Sequence, residues 1–313
     1  MSWQNVALSW FLRRRMKGKG QGEIDVAEAR ALADRMWAPR RAPRDWRIRA
    51  VPARAASEGQ VGTVAAEWIE PAAAELTPTL SRTVLYLHGG AYLFCSPRTH
   101  RPITCALARH GLARVLAPEY RLAPEHPAPA ALDDALAAYR GLLADGIAPT
   151  TIVVAGDSAG GGLTLALLLA LRDAGDPLPA AGVLFSPWTD LAVTGATIDS
   201  HADSDVLFDG RGVRAAARLY LAGMPGTDWR ASPLYGDFTG LPPLLIQASD
   251  SEVLLDDARR VVDKARAAGV EVAFHQWRGV PHAWQIFAGF LPEARVALHQ
   301  AGDFIRRHAR TPV

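Results

Sequence analysis

A serine flanked by small residues is the first feature of this sequence that suggests chemistry. Ser158 lies in Gly156-Asp157-Ser158-Ala159-Gly160, after the β-branched run at 151–155 and before the leucine-rich segment 163–171. A strand, a tight turn and a helix in that order form a nucleophile elbow, in which glycines permit a strained turn that exposes the serine hydroxyl. The sequence therefore predicts that Ser158 attacks a carbonyl carbon.

A serine nucleophile needs a base that removes its proton and a carboxylate that orients the base. His282 follows the last predicted strand in a Gly-x-Pro-His turn, and it is the predicted general base. The acid lies between the serine and the histidine in the chain, which is the order of α/β-hydrolase triads. Four acidic residues on one loop are candidates for it, namely Asp250, Glu252, Asp256 and Asp257.

Five segments make this sequence similar to the hormone-sensitive-lipase branch (family IV) of the α/β-hydrolases, a group of carboxylesterases. They are His88–Ala91, Glu119–Pro127, Gly156–Gly160, Ser186–Leu191 and Glu252–Asp256. The similarity covers almost the whole chain. It departs at Ala91, where the family usually has a third glycine, and at Glu252, where it usually has an aspartate.

The resemblance implies roles for further residues. The family pattern acid-x-Leu-x-Asp aligns Glu252 with the catalytic acid, and Asp250 on the same loop is the second candidate. Asp256 and Asp257 are expected at a helix start, where they meet the positive end of the helix dipole. His88 is expected to brace the loop that binds the oxyanion.

The tetrahedral intermediate of acyl transfer carries an oxyanion that backbone N–H groups stabilise. The predicted donors belong to Gly89, Gly90, Ala91 and Ala159, and Ala91 retains its N–H although it lacks the freedom of glycine. Five aromatic residues are candidates for an apolar substrate pocket, although each is equally suited to the core. They are Tyr92, Phe94, Trp188, Phe208 and Trp284.

Alternating apolar runs and helical patterns predict an α/β fold with a mostly parallel eight-stranded sheet covered by helices on both faces. The interval 191–240 contains no predicted strand, and such insertions at the carboxyl end of a sheet often cover the substrate. Together with residues 1–45 it is the predicted helical cap, and residues 46–313 otherwise form the catalytic domain.

The N-terminal segment has an apolar stripe at helical spacing, formed by Trp3, Val6, Ala7, Trp10 and Phe11. Arginines follow the stripe, whereas a secretory signal has its positive charges in front. The resemblance implies that the cap covers this stripe, and an interfacial membrane helix is the less favoured alternative.

Composition excludes several classes of function. The net charge of +2 gives no reason to expect a nucleic-acid partner. Two cysteines cannot build a disulfide framework, which suits the cytoplasm, and the histidines lack the spacing of a metal site. No cofactor is expected, and a homodimer remains open. The expected partner is a small-molecule ester.

The predicted activity is hydrolysis of short- to medium-chain carboxylic esters through an acyl-enzyme, with an optimum between butyrate and octanoate. Two alternatives use the same scaffold. An amide or N-acetyl hydrolase would use the same triad, and a non-catalytic ligand receptor resembles the family without an intact histidine. His282 stands in its expected turn and therefore disfavours the receptor.

Overall fold

The computed structural model describes residues 1–15, 17, 24–37, 46–53, 64–72 and 81–310. The strands are β1 (Trp46–Val51), β2 (Ala66–Pro71), β3 (Arg82–Leu87), β4 (Ala113–Pro118), β5 (Ile152–Asp157), β6 (Ala181–Phe185), β7 (Leu244–Ser249) and β8 (Val272–Trp277). The helices are α1 (Trp3–Arg15), α2 (Val26–Trp37), α3 (Arg101–Gly111), α4 (Ala130–Ala144), α5 (Ala159–Ala174), α6 (Thr197–Ser200), α7 (Gly210–Leu221), α8 (Leu255–Ala267) and α9 (Pro292–His308).

The strands form one sheet in the order β1-β2-β4-β3-β5-β6-β7-β8. Strand β2 is antiparallel to both of its neighbours, and the strands from β4 to β8 are parallel. The predicted eight-stranded, mostly parallel sheet is therefore confirmed. The sequence pattern predicts a partner of β1 over residues 61–69. Residues 61–63 lie outside the described residues, and β2 begins at Ala66.

Both faces of the central strands are buried, which explains their continuous apolar sequences. In β3, Leu85 and Leu87 pack in a cluster with residues of α4 and α5, whereas Val84 and Tyr86 pack in a second cluster with residues of α3 and α9. The sheet is thus covered by helices on both sides, as predicted. Its carboxyl edge carries the turns that follow β3, β5, β7 and β8.

The elements assigned to the cap lie near that edge. Helix α2 is attached by Arg30, whose Nε donates to the carbonyl of Leu93 over 2.9 Å and whose guanidinium pairs with Glu125. The interval 191–240 contains α6 and α7, and no strand occurs among its residues, all of which the structure describes. Asp209 begins α7 by accepting the N–H of Gly212 at 3.0 Å. Residues 38–45 lie outside the described residues, so the cap boundary at 45 remains a prediction.

Candidate active site

Ser158 occupies a strained turn between β5 and α5. Its φ of 53° and ψ of −122° are rare for a residue with a side chain, and its N–H donates to the carbonyl of Phe185 over 2.8 Å. The flanking glycines make the turn possible. A Cβ on Gly160 would collide with the carbonyl of Leu87, and one on Gly156 would collide with the carbonyl of Gly160. The backbone thus exposes the Ser158 hydroxyl at the carboxyl end of β5.

His282 and Glu252 form a buried pair beside this turn. The Nδ1 atom of His282 lies 2.6 Å from Oε2 of Glu252, and the two residues are 4% and 1% exposed. The other carboxylate oxygen of Glu252 accepts the N–H of Ser249 at 2.8 Å. Both oxygens are therefore engaged, and the carboxylate fixes the orientation of the imidazole.

The other three candidate acids bind elsewhere. Asp250 accepts the N–H of Gly279 at 2.7 Å, and Asp256 accepts the N–H of Thr197 at 3.1 Å. Asp257 accepts the N–H groups of Thr189 and Asp190, and its burial raises the pKa of its carboxyl to about 7. Asp256 and Asp257 lie in the first turn of α8, as expected. Among the four, Glu252 is the one that contacts His282.

The second ring nitrogen of His282 remains available for catalysis. Within the described part of the chain, Nε2 is buried and has no hydrogen-bond partner, and His282 lines the same cavity as Ser158. The largest single influence on the pKa of His282 is burial, which disfavours the protonated ring. The hydrogen bond and charge of Glu252, with Asp205 and Asp157, outweigh burial, so the pKa of His282 is raised. This imidazole is suited to accept a proton and to hold it while the negative charge of the intermediate persists.

The loop after β3 supplies candidate oxyanion donors. The backbone has positive φ at Gly90 (118°) and Ala91 (54°), and no acceptor for either N–H occurs among the residues that the structure covers. Ala159 is the first residue of α5, so its N–H has no acceptor within the helix. Gly89 does not fit its predicted role as an oxyanion donor, because its N–H already donates to Asp157 over 2.9 Å. The candidate donors thus narrow to Gly90, Ala91 and Ala159.

A buried polar network holds this loop. Asp157 accepts the Tyr86 hydroxyl at 2.6 Å and the Gly89 N–H, and its second oxygen lies 3.2 Å from Nε2 of His100. Burial alone would raise the pKa of Asp157, but the charge of His100 and these hydrogen bonds lower it. The residue that precedes the nucleophile is thus an anion that ties the oxyanion loop to the elbow.

His88 braces the same loop, as the resemblance implied. Its Nδ1 lies 2.7 Å from the carbonyl of Gly89, and its ring stacks on Tyr120 with the centroids 4.2 Å apart. The hydroxyl of Tyr120 in turn donates to the carbonyl of His88 over 2.6 Å. Burial, together with neighbouring His100, lowers the pKa of His88 to about 3, so the ring stays neutral and acts through packing and hydrogen bonding.

A cavity of about 70 Å³ opens above Ser158. Phe94 and Phe208 line it, as predicted. Further apolar walls, which the sequence did not single out, come from Trp37, Leu207, Ile286 and Phe287. They belong to the end of α2, the interval between α6 and α7, and the turn after His282, and each lacks a recognisable local motif.

The other three predicted pocket residues belong to the core. Tyr92 is 1% exposed and stacks on Tyr220 of α7, with the ring centroids 3.8 Å apart. Trp188 and Trp284 are 3% and 0% exposed, and Trp284 packs beside Trp277 at 5.6 Å. None of the three lines the cavity, because their side chains are buried in the surrounding core.

Asp205 is a buried carboxylate that sequence reasoning missed. One oxygen accepts the N–H groups of Leu207 at 2.8 Å and Phe208 at 3.1 Å, and the other accepts the N–H of Val253 at 3.0 Å. Val253 directly follows Glu252. Asp205 therefore joins two cavity-lining residues of the predicted cap to the loop that carries the acid. Its short polar segment matches no motif, so the sequence offers no signal for it.

The described residues contain no cluster of side chains suited to bind a metal ion. No three His, Cys, Asp or Glu side chains form a group that could hold a metal ion among the residues that the structure describes.

Comparisons with known proteins agree with this geometry. A family model described as the α/β-hydrolase fold matches residues 84–286. The chain is 49% identical over 246 residues to an acetyl-hydrolase of Streptomyces hygroscopicus, which covers 79% of this chain and 81% of the relative. It is 38% identical over 226 residues to an esterase of Acinetobacter venetianus, with 72% and 74% covered.

Solved structures extend the similarity to the whole chain. The crystal structure of an esterase from the bacterial hormone-sensitive lipase family superposes with a TM-score of 0.89 at 40% identity, and the match covers 99% of each chain. The elbow, the sheet order and these relatives lead to one conclusion. This chain belongs to the α/β-hydrolase family, in its hormone-sensitive-lipase branch of esterases.

Proposed function

We propose that Ser158, His282 and Glu252 hydrolyse short- to medium-chain carboxylic esters through an acyl-enzyme. The hydrogen bond of 2.6 Å between His282 Nδ1 and Glu252 carries the proposal. It leaves Nε2 without a partner among the described residues, in the cavity that Ser158 also lines. An oriented imidazole beside an elbow serine is the arrangement that acyl transfer requires.

In the acylation half-reaction, Nε2 of His282 takes the hydroxyl proton as the Ser158 oxygen attacks the ester carbonyl. The carbonyl oxygen becomes an oxyanion, which accepts hydrogen bonds from the N–H groups of Gly90, Ala91 and Ala159. When the tetrahedral intermediate collapses, the bond to the alcohol breaks. The imidazolium protonates the departing alkoxide, and the acyl group stays on Ser158.

In the deacylation half-reaction, a water molecule gives its proton to the neutral His282 and attacks the acyl-enzyme. The same N–H groups bind the second oxyanion. Its collapse returns the proton to Ser158 and releases the carboxylic acid. Glu252 stays ionised through both halves and stabilises the imidazolium that forms in each.

The cavity supports a preference for short acyl groups. Its volume of about 70 Å³ is far below the ~300 Å³ at which pockets for larger ligands begin. Each buried methylene contributes about 0.8 kcal/mol until the available depth is filled. Longer chains must then leave the cavity or displace the residues that cover it, such as Phe208.

A panel of p-nitrophenyl esters from acetate to palmitate tests this proposal. We expect kcat/KM to peak between butyrate and octanoate and to fall by palmitate. A preference for long-chain emulsions with activation at the oil–water interface would contradict it. The amide analogue p-nitroacetanilide is the matched comparison, and faster cleavage of the amide than of p-nitrophenyl acetate would favour an amidase.

The described residues contain no helix that is long and apolar enough to cross a membrane. We further infer that the protein works in the cytoplasm, because Cys95 and Cys105 are free thiols and Cys105 is buried. Fractionation of the source cells tests this inference, and recovery of the esterase activity in the culture medium or another extracytoplasmic fraction would contradict it.

A further inference from the structure

Helix α1 turns most of its large apolar side chains outward, unlike an ordinary surface helix. Its inward face includes the side chain of Asn5, which is 0% exposed, whereas Trp3 and Trp10 on the outward face are 71% and 61% exposed. Surface helices of globular proteins normally turn apolar residues inward and polar residues outward. Among the described residues, nothing covers the apolar stripe that the sequence reveals, so the expectation that the cap covers it is wrong for this part of the chain.

Well-defined contacts fix this orientation. Asn5 Nδ2 donates to the carbonyl of Gly279 over 2.8 Å, and the hydroxyl of Ser2 donates to Glu293 over 2.9 Å. At the other end, Arg13 and Lys17 both donate to the carbonyl of Asp203 over 2.9 Å. Leu12 is completely buried between these anchors. The outward direction of the tryptophans thus follows from how the inward face is bound.

The exposed apolar residues of α1, which helical spacing places on one face, form with Met1 and Phe290 a surface that we call the apolar rim. It consists of Met1, Trp3, Val6, Trp10, Phe11 and Phe290, each between 43% and 79% exposed. Phe290 joins the rim through Trp3, whose ring stands edge-on to it at 6.0 Å. Contiguous exposed apolar patches of this kind mark sites of interaction with proteins, lipids or ligands.

The rim lies close to the candidate active site. The N–H of Phe290 donates to the carbonyl of Phe287 over 2.9 Å, and Phe287 lines the cavity above Ser158. The anchor of Asn5 at Gly279 is three residues before His282. A surface that binds the rim therefore lies next to the cavity.

Two cations border the rim. The guanidinium of Arg14 lies 4.9 Å from the ring centre of Trp10, and that of Arg15 lies 5.9 Å from the ring centre of Phe11. Both arginines are exposed. Tryptophan and phenylalanine on one side of a short helix, with arginines at their border, are typical of helices that lie in a membrane interface.

We propose that the apolar rim docks this protein on an anionic lipid surface, with Trp3 and Trp10 in the interface and Arg14 and Arg15 against the lipid phosphates. The positive charge distinguishes a lipid surface from a second copy of the chain. An anionic bilayer attracts both arginines, whereas the rim of a second copy consists of apolar residues bordered by the same two arginines.

Vesicle co-sedimentation of the full chain tests the proposal without any measurement of hydrolysis. Vesicles of phosphatidylcholine mixed with phosphatidylglycerol are compared with vesicles of phosphatidylcholine alone. We expect binding to the mixed vesicles, weaker binding to the neutral ones, and a loss of the difference at high salt. The tryptophan emission should shift to the blue as the rings leave water.

Two variants separate the apolar and electrostatic contributions. Trp3→Glu with Trp10→Glu should lower the partition coefficient at least about tenfold on both kinds of vesicle. Arg14→Glu with Arg15→Glu should abolish the preference for anionic lipid. The matched control is Leu112→Glu, which also replaces an exposed apolar residue (51% exposed) but lies at the end of α3 and should bind like the wild type.

All three variants should hydrolyse dissolved p-nitrophenyl acetate as the wild type does, which shows that the fold is retained. Failure of the wild type to sediment with the mixed vesicles would overturn the proposal. So would tryptophan variants that still bind like the wild type. A dimer seen by analytical ultracentrifugation, lost in the tryptophan variant and accompanied by no vesicle binding, would assign the rim to a second copy instead.

Discussion

The ring of Phe208 stands edge-on to the imidazole of His282, with the ring centroids 5.1 Å apart and the planes at 79°. Both residues line the cavity above Ser158. Phe208 therefore contributes in two ways: it limits the space for the acyl group, and it helps to exclude water from a histidine that is only 4% exposed.

Phe208→Ala should move the substrate preference toward longer acyl chains, because removal of the ring extends the cavity. Since each newly buried methylene contributes about 0.8 kcal/mol, the ratio of kcat/KM for octanoate to that for acetate should rise by about tenfold or more. The p-nitrophenyl ester series measures this ratio. Leu112→Ala, at an exposed site remote from the cavity, should leave the ratio unchanged. An unchanged ratio in Phe208→Ala would show that its ring does not limit the acyl site.

Asp205→Asn should shift the acid limb of the kcat/KM profile to lower pH. His282 must be neutral to accept a proton, so activity falls as the pH drops through its pKa. Burial disfavours the imidazolium, whereas Glu252, Asp205 and Asp157 favour it and raise the pKa overall. Removal of one of these anions lowers that pKa, so the neutral base persists into more acidic solution.

The same substitution should lower the free energy of unfolding by about 1–3 kcal/mol, because an amide has one acceptor oxygen and cannot accept the N–H of Val253 together with those of Leu207 and Phe208. The pH profile distinguishes an electrostatic role from a purely structural one. Loss of stability with an unmoved acid limb would mean that Asp205 only supports the loops.

Glu252→Gln should reduce kcat by a factor on the order of 10⁴, since the amide cannot stabilise the imidazolium and favours the wrong tautomer. Asp250→Asn is the matched control on the same loop. Its carboxylate binds the Gly279 N–H and not His282, so its effect on kcat should be small. Steady-state kinetics at the pH optimum compare the two. A large loss of kcat in Asp250→Asn together with a small loss in Glu252→Gln would assign the catalytic acid to Asp250 instead.

Asp157→Asn should lower kcat with little change in KM, because the oxyanion loop loses part of its anchor. The carboxylate holds the Gly89 N–H, the Tyr86 hydroxyl and His100 at once, and an amide cannot accept from all three. We expect a loss of stability of about 1–3 kcal/mol as well. Thermal unfolding and steady-state kinetics measure the two effects. Wild-type kcat in the folded variant would exclude a role for this anchor.

Much of the architecture was predictable because it follows from local patterns. Continuous apolar strands such as β5 indicate a sheet buried on both faces, and the glycines around Ser158 are required by the elbow itself. The main boundary error at the elbow has a simple cause. The apolar pattern predicts a strand over residues 150–155, but Pro149–Thr151 forms a single turn of 3₁₀-helix, so β5 begins at Ile152.

The contacts of the site were less predictable because they join distant segments. Asp205 binds Val253, 48 positions away, and His100 lies against Asp157, 57 positions away. No local motif at Asp205 or His100 indicates these partners. The sequence could show that Trp3 and Trp10 share a helix face. It could not show that polar anchors such as Asn5 would turn that face outward.

The central claim is that Ser158 carries the acyl group, and covalent labelling tests it most directly. A p-nitrophenyl alkylphosphonate should inactivate the wild type with release of one p-nitrophenolate per chain, and peptide mass spectrometry should locate the phosphonyl group on Ser158. The folded Ser158→Ala variant should neither react nor retain hydrolytic activity above about a thousandth of the wild-type kcat. A label on any other residue, or a Ser158→Ala variant that keeps a tenth of wild-type kcat, would contradict the account.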